Sequence, residues 1–379
     1  MMQRVCFVLT SPFAVNGFLL NHFKVLADNF SITLVVNALE YPLSSDLDAR
    51  VRVVHLDIAR KIDLLSDLKS LFWLWRFFRR ERFDLVHSLT PKAGLLGMLS
   101  AWLAGIRCRQ HTFTGQVWVT RRGLSRYCLK QLDSLIAVCA TSVLADSASQ
   151  CAFLVAESVI KPGAIHVAGP GSISGVDTTR FAPNPMVRHM VRESLKIPDG
   201  ALVFIALGRM TRDKGVIDLV ESFKSLSSKF PRAWLLLAGP DEEDLASTLL
   251  EAAGASADRL RLEPKVVQSA AYLAAADVLV LPSYREGFGT VVLEAAAVGL
   301  PAIASRIYGL TDAVIEGVTG VCFPVGDRLA LQAALELLIQ NDVFRSNLGT
   351  QARQRALSEY SSDAISRAWV KQYSIVLSK

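Results

Sequence analysis

No stretch of this sequence is both long and apolar enough to cross a bilayer. The longest nearly apolar run, Gly94 to Ile106, falls short of the ~20 residues that a spanning helix needs. Residues 1–9 hold one arginine and a short apolar run that Thr10, Ser11 and Pro12 end, too little for a secretory signal. Cysteine is sparse and scattered: six residues, no CxxC pair, mostly apolar neighbours. Disulfides are therefore not expected, and a reducing cytoplasm fits. Cys108 and His111 have a spacing that a metal could use, but no second ligand pair follows, so no metal site is expected. Gly-x-Gly-x-x-Gly is missing near residues 9–17, and "GPGSISG" at 169–175 has the wrong spacing and opens no helix. That removes the signature of a dinucleotide-dependent oxidoreductase. Also absent are a nucleic-acid recognition motif, a short repeat that would mark a solenoid or propeller, and any low-complexity tract.

Apolar material, by contrast, is plentiful. Of the residues, 51% are hydrophobic and 20% charged, enough for two cores and incompatible with a largely disordered chain. At ~150 residues per domain, 379 residues predict two to three domains. The net charge of +6 is unevenly spread: residues 1–180 carry 20 Lys and Arg against 13 Asp and Glu, the remainder 21 against 22. A basic first half suits a nucleic acid, an anionic membrane or an acidic ligand, and equally a basic surface with no partner.

Short Val-, Ile- and Leu-rich runs alternate with longer amphipathic segments. Strands are expected at 5–9, 32–36, 51–54, 85–88, 135–138 and 165–168, with helices at 18–29, 64–79 and 144–155. The stretch "GSISGVDTTRFAPNP" breaks the pattern. Strands are then expected at 202–207, 234–238, 260–262, 278–281, 302–304 and 321–323, and helices at 329–339, 344–358 and 363–377. Apolar runs separated by helices read as parallel strands buried on both faces. The expected fold class is α/β, with two Rossmann-like, doubly wound domains at 1–180 and 199–360 facing a cleft. A linker falls at 181–198, and a C-terminal helix at 361–379 can cross back to the first domain. Ligands of such folds bind outside the carboxyl ends of the strands.

Two constellations in the second half can carry chemistry. In "LPSYREGFGTVVLEAAAVGLPAIAS", residues 281–305, a strand ends at Pro282, a loop holds Glu286, Gly287 and Gly289, and a helix containing Glu294 follows. Glycines at a strand-to-helix turn let backbone N–H groups approach an anion, and the helix N-terminus favours negative charge. Glu286 and Glu294 would lie about 12 Å apart if the segment were helical throughout, a span that fits the sugar and the ribose of a nucleotide-sugar. An exposed Glu286 and a locally paired Glu294 would explain the same residues. In "ALGRMTRDKGVIDLVESF", residues 206–223, Gly208 and Arg209 end a strand, and Lys214–Gly215 open a helix. Two cations there would neutralise a pyrophosphate; a solvated turn with Asp213 pairing its neighbours is the alternative.

"GRMTRDKG" followed by "EGFGTVVLEA" closely resembles glycosyltransferase family 4, the retaining nucleotide-sugar-dependent enzymes of the GT-B fold. The resemblance covers nearly the whole chain and is most specific over residues 206–305, where two glutamates stand with seven residues between them. "GSISGVDTTRFAP" is similar to the family's linker, with Ser174 in the place of the usual Asn. The resemblance implies an acceptor-binding first domain and a donor-binding second domain. It assigns Arg209 and Lys214 to the donor pyrophosphate, and Glu286 to the transferred sugar. Gly287, Phe288, Gly289 and Thr290 fall at the donor loop, the last three offering backbone amides, and Glu294 takes the ribose. It also implies that no cofactor or divalent metal is needed, because the cations and a helix N-terminus do that work.

The first domain departs from the family pattern. Its glycine-rich loop is reduced to Gly17 in "SPFAVNGF". The catalytic-region histidine that usually precedes a glycine is replaced in "RQHTFTGQVW": Thr114 precedes Gly115, and His111 lies three residues earlier. His111 is taken as the catalytic-region residue, with Thr114, or a purely structural His111, as alternatives. The segment "RKIDLLSDLKSLFWLWRFFRRERFD", residues 60–84, mixes aromatics with Arg79, Arg80 and Arg82. With Arg121 and Arg122 it can form a basic, membrane-facing rim beside the acceptor. Its aromatics read equally as an ordinary core stripe of Leu68, Leu71, Trp75 and Phe78.

Taken together, the sequence is identified as a member of that family. The expected enzyme is cytoplasmic and peripheral to the inner face of the cytoplasmic membrane. It would move a hexose or N-acetylhexosamine from a nucleotide diphosphate sugar, UDP-linked by preference, to a polyprenyl-diphosphate-linked saccharide in surface polysaccharide biosynthesis, with no nucleic-acid partner. A non-catalytic nucleotide-sugar-binding or scaffold subunit of the same fold is the rival, one that predicts lost charges at the phosphate site.

Overall fold

A computed structural model of the chain describes residues 2–39, 41–58, 63–266 and 268–378. Residues 60–62 of the basic-aromatic segment lie outside the described residues. The chain forms two compact units, residues 1–175 with 362–379, and residues 176–361.

The first unit holds a seven-stranded parallel sheet: β1 (Arg4–Val8), β2 (Ser31–Val36), β3 (Arg52–His55), β4 (Leu85–Ser88), β5 (Cys108–Phe113), β6 (Ser142–Ala145) and β7 (His166–Val167). The spatial order is β3-β2-β1-β4-β5-β6-β7. Val5 is in register with Ile32 on one side and Leu85 on the other, so β1 is central and its Val5–Val8 run is fully buried. Helices such as Leu64–Glu81, Pro91–Leu103 and Gly123–Cys139 connect the strands. The helix Ser362–Leu377 also belongs to this unit, docked through Trp369 and Tyr373, both buried.

The second unit holds a six-stranded parallel sheet: β8 (Leu202–Leu207), β9 (Ala233–Ala238), β10 (Leu260–Glu263), β11 (Val278–Leu281), β12 (Ala302–Ser305) and β13 (Gly320–Phe323). The order is β10-β9-β8-β11-β12-β13. All six strands fall where the apolar runs predict them: five are largely buried and apolar, while the edge strand β10, spelled Leu-Arg-Leu-Glu, is only half-buried. Both sheets reverse winding direction at their first strand, between β1 and β4 and between β8 and β11. Such switch points open a crevice at the carboxyl ends of the strands.

Three local expectations are corrected. Residues 135–138 are not a strand but the last turns of the Gly123–Cys139 helix, in which Ile136 is buried while Leu135 and Val138 are exposed. In their place β5, spelled Cys-Arg-Gln-His-Thr-Phe, enters the sheet despite its polarity, and β6 occupies the start of an expected helix. Residues 181–198 are not a free linker either. They carry the helix Pro185–Ser194, whose Arg188 and Arg192 bind the two carboxylate oxygens of Asp277 at 2.6 and 2.8 Å within the second unit. No described helix is long and apolar enough to cross a membrane.

Candidate active site

The second unit's switch point gathers the residues singled out by the sequence. Beyond β8 the chain turns through Gly208, Arg209 and Met210 into a short 3-10 turn, Arg212–Lys214. Gly215 then caps the helix Val216–Ser227 with φ +68. A Cβ at Gly215 would stand 2.1 Å from the Pro282 carbonyl oxygen, so only glycine lets the β8 and β11 loops touch. Beyond β11, residues 282–289 lead to the helix Thr290–Val298, capped by Gly289 with φ +76. Only Glu294 of the two glutamates is helical, so the span estimated for a continuous helix does not apply.

The two loops are cross-tied. Tyr284 donates its backbone N–H to the Asp213 carbonyl at 2.9 Å, and Arg285 donates to Asp213 Oδ2 at 2.9 Å. Thr211 donates to Asp213 Oδ1 at 2.5 Å, and the Tyr284 hydroxyl to Asp218 at 2.6 Å. Asp213 thus pairs both with its neighbour Thr211 and across to the other loop. These ties bring Lys214 Nζ within 2.5 Å of Glu286 Oε1, which also accepts from the buried Ser283 hydroxyl at 3.0 Å. Arg209 is held at the same end of the sheet by Glu242, at 2.8 Å.

Past Glu286 the backbone is tightly packed. Gly309 abuts the Gly287 carbonyl so closely that a Cβ there would lie 1.9 Å from it. The Phe288 side chain is buried against Tyr360, ring centroids 5.5 Å apart, leaving only its backbone for a ligand. At the start of the Thr290–Val298 helix the Val292 N–H already donates to the Gly289 carbonyl at 2.8 Å, and the N-terminal end of the helix dipole favours an anion ahead of it. Glu294, one turn in, has its carboxyl pushed up to about 7 by burial, with Arg180 opposing the shift. Arg209, Lys214, Glu286 and a helix N-terminus therefore lie at the carboxyl ends of β8 and β11, with Glu294 one turn into that helix. Sequence reasoning missed Ser283, Tyr284 and Arg285 as supports and Glu242 as a partner of Arg209. Only the run of charge in "DEED" at 241–244 could have signalled the last.

In the first unit the picture differs. His111 lies inside β5, 1% exposed, its Nδ1 hydrogen-bonded to the Ser88 hydroxyl at 2.8 Å. Gly94 of the Pro91–Leu103 helix presses on the ring, since a Cβ there would lie 2.5 Å from its Cε1. Burial lowers the imidazole to about 3. His111, expected in the catalytic region, is thus a buried residue of the sheet held by Ser88, which matches the structural alternative for it. Thr114, just past the strand and half-buried, donates to the Leu89 carbonyl at 3.3 Å. Gly17 sits exposed in the π-helical turn Val15–Leu19, without the positive φ of a phosphate-cradling loop. Cys108 and His111, three apart on one strand, point to opposite faces, which ends the metal spacing. Arg79, Arg80, Arg82, Arg121 and Arg122 are exposed.

Residues 187–355 match the family described as Glycosyl transferases group 1, and residues 26–171 match the Glycosyl transferase 4-like domain. A UDP-Gal:α-D-GlcNAc-diphosphoundecaprenol α-1,3-galactosyltransferase of Escherichia coli is 30% identical over 76% of this chain and 75% of its own. The chain belongs to the family 4-like glycosyltransferases. Another relative of this glycosyltransferase is the capsular polysaccharide biosynthesis glycosyltransferase CapM of Staphylococcus aureus, 29% identical over 90% of this chain and 94% of that one. Its fold is GT-B. A sucrose-phosphate synthase from Thermosynechococcus elongatus superposes with TM-score 0.84 at 21% identity, covering 99% of each chain. Anabaena HepE, solved with UDP and glucose, superposes with TM-score 0.80 at 19% identity, covering 98% of this chain and 99% of that one.

Proposed function

We propose that this glycosyltransferase moves a hexose or N-acetylhexosamine from a UDP-sugar to a polyprenyl-diphosphate-linked saccharide in cell-surface polysaccharide assembly, with retention. The observation that carries the donor half is the meeting of Arg209, Lys214, Glu286 and the Thr290–Val298 helix start at one switch point. The acceptor half is supported by the E. coli relative, which acts on a diphosphoundecaprenol-linked sugar, and by the S. aureus relative's part in capsular polysaccharide biosynthesis.

In this reading Arg209, Lys214 and the first-turn amides take the diphosphate, Glu286 orients the sugar hydroxyls, and Glu294 accepts from the ribose. As the bond from the anomeric carbon to the phosphate oxygen breaks, charge grows on the leaving diphosphate. The two cations and the helix start stabilise that charge without a metal ion. The acceptor hydroxyl forms the new bond on the same face and passes its proton to the departing phosphate oxygen. No step needs a cofactor.

Glu286→Ala and Lys214→Ala test the reading, assayed for sugar transfer from UDP-sugars with melting temperature alongside. Each should lower turnover by about 10²–10³-fold, the usual cost of one transition-state contact, at an almost unchanged melting temperature. Near-normal turnover in both sinks the assignment.

A membrane-facing role for the first unit is part of the same proposal. The Leu64–Glu81 helix buries Leu74, Phe77 and Phe78 and exposes Leu64, Leu65, Leu68 and Phe72, so its apolar stripe is wider than its core contact. The core stripe therefore differs from the expected Leu68, Leu71, Trp75 and Phe78. Exposed Leu124 and Tyr127 follow Arg121 and Arg122 on the Gly123–Cys139 helix. Exposed apolar side chains flanked by arginines suit an anionic lipid surface. Replacing Arg79, Arg80 and Arg82 together by alanine should cut binding to phosphatidylglycerol vesicles at least tenfold, at ~1 kcal/mol per charge, and leave nucleotide binding intact. Unchanged vesicle binding removes this part.

A further inference from the structure

Both cations of the donor site are already occupied by carboxylates of the chain itself. Lys214 is paired with Glu286, which the proposed mechanism uses; Arg209 is paired with Glu242, which it does not. Glu242 sits in an acidic loop, Asp241 to Asp244, that follows β9. The backbone of that loop is fixed to the Arg209 loop. Gly208 donates to the Ala238 carbonyl at 2.9 Å, Met210 donates to the Pro240 carbonyl at 2.8 Å, and a Cβ on Gly239 would lie 1.9 Å from the Gly208 oxygen.

The acids of this loop divide their work. Asp241 caps the next turn, accepting from the backbone of Leu245 and Ala246 at 2.9 Å each. Glu243 accepts the Arg212 backbone N–H at 3.1 Å. Glu242 reaches the Arg209 guanidinium, 2.8 Å away, through its side chain, and that side chain is 40% exposed. A rigid backbone thus delivers a carboxylate that can swing into water. A pair this exposed adds little to folding stability, so its effect falls on whatever else needs Arg209.

We propose that Glu242 is a resident counter-anion for Arg209, displaced by the donor's diphosphate and returning to the guanidinium as the nucleoside diphosphate departs. This inference rests on the reading that Arg209 binds the diphosphate. Glu242 acts through Arg209 and is a positioning residue. Its carboxylate competes with the ligand for one guanidinium and repels the ligand's charge, so it lowers affinity for product and hastens release.

The test is calorimetric titration of UDP, GDP and ADP into wild type, Glu242→Gln, Arg209→Ala and the double variant, at low and high salt, with melting temperatures measured in parallel. Glu242→Gln should tighten nucleoside diphosphate binding about two- to fivefold, the scale of an exposed ion pair. The gain should shrink at high salt and vanish on the Arg209→Ala background, with melting temperatures alike. A merely structural role would shift the melting temperature and would not depend on Arg209. Binding by Glu242→Gln that equals or falls below wild type, while Arg209→Ala is impaired, overturns the proposal and leaves the donor-site reading standing. Arg209→Ala binding as tightly as wild type, or a wild type that takes up none of the three nucleotides, overturns both.

Discussion

The two units share an architecture but not a kind of core. In the second, the strands other than the edge strand β10 are almost purely apolar, and Arg192 with Asp277 is its principal buried charge pair. The first buries His22, His87, His111, Gln110, Gln150 and Asp146 within and beside its sheet. Much of that polarity is answered by the Ser362–Leu377 helix. His87 is engaged by the Tyr373 hydroxyl at 2.5 Å and by Thr112 at 2.9 Å. His22 donates Nε2–H to the Ile173 carbonyl at 2.5 Å and shares its Nδ1 with the Ser366 hydroxyl. Trp369 lies 4.9 Å from both rings. A buried polar group is tolerated only with its partner in place, so the first unit depends on chain far away in sequence and the second does not.

Trp369→Ala breaks that comparison hardest. Removing a buried indole from a packed core costs about 3–5 kcal/mol, here with two imidazoles left beside the gap. Hydrogen exchange followed by segment should accelerate in β1, β4 and β5 while β8, β9 and β11 keep their protection. Equal acceleration in both sheets would mean that the units do not differ in this dependence.

A smaller effect comes from acid. Burial lowers His22 to about 4 and His111 to about 3, against a usual value near 6.5. The unfolded chain takes up these protons before the fold does. The histidine contribution is therefore full above pH ~6.5 and is lost as pH falls toward 4, by on the order of 1 kcal/mol per pH unit per histidine, with Asp146, which burial pushes up to about 8, offsetting part of it. The second unit buries no histidine among its described residues, so exchange between pH 6.5 and 4 should loosen the first sheet first. Loosening that begins in β8–β11 would refute the assignment of acid sensitivity to this histidine cluster.

The same contrast decides how much was legible. Val278–Leu281 or Leu202–Leu207 announces a buried strand by composition alone. Cys108–Phe113 does not, because Gln110, His111 and Thr112 become acceptable in a core only through Ser88, His87 and Gln372, which no local window contains. Leu135–Val138 misled for the opposite reason: a four-residue apolar run reads alike on a helix and a strand. At the site, Arg209, Lys214, Glu286 and Glu294 were legible because a switch point draws on two short loops with glycines at fixed offsets. Glu242 was not, since its meaning lies in the register between the β8 and β9 loops. His111 stood out as a residue type, yet its place within the strand, not its identity, decides its role.

The return of residues 362–377 to the first unit has a consequence for synthesis. β1 leaves the ribosome before the second unit, but the segment carrying Trp369 and Tyr373 follows the whole of that unit. The second unit can complete its sheet while the nascent first unit still waits with Phe7, His22 and His87 uncovered. Order of birth and order of maturation are therefore opposed, and the interval between them is when a chaperone has most to hold. A premature stop that spares every candidate-site residue of the second unit would still leave the N-terminal unit unfinished.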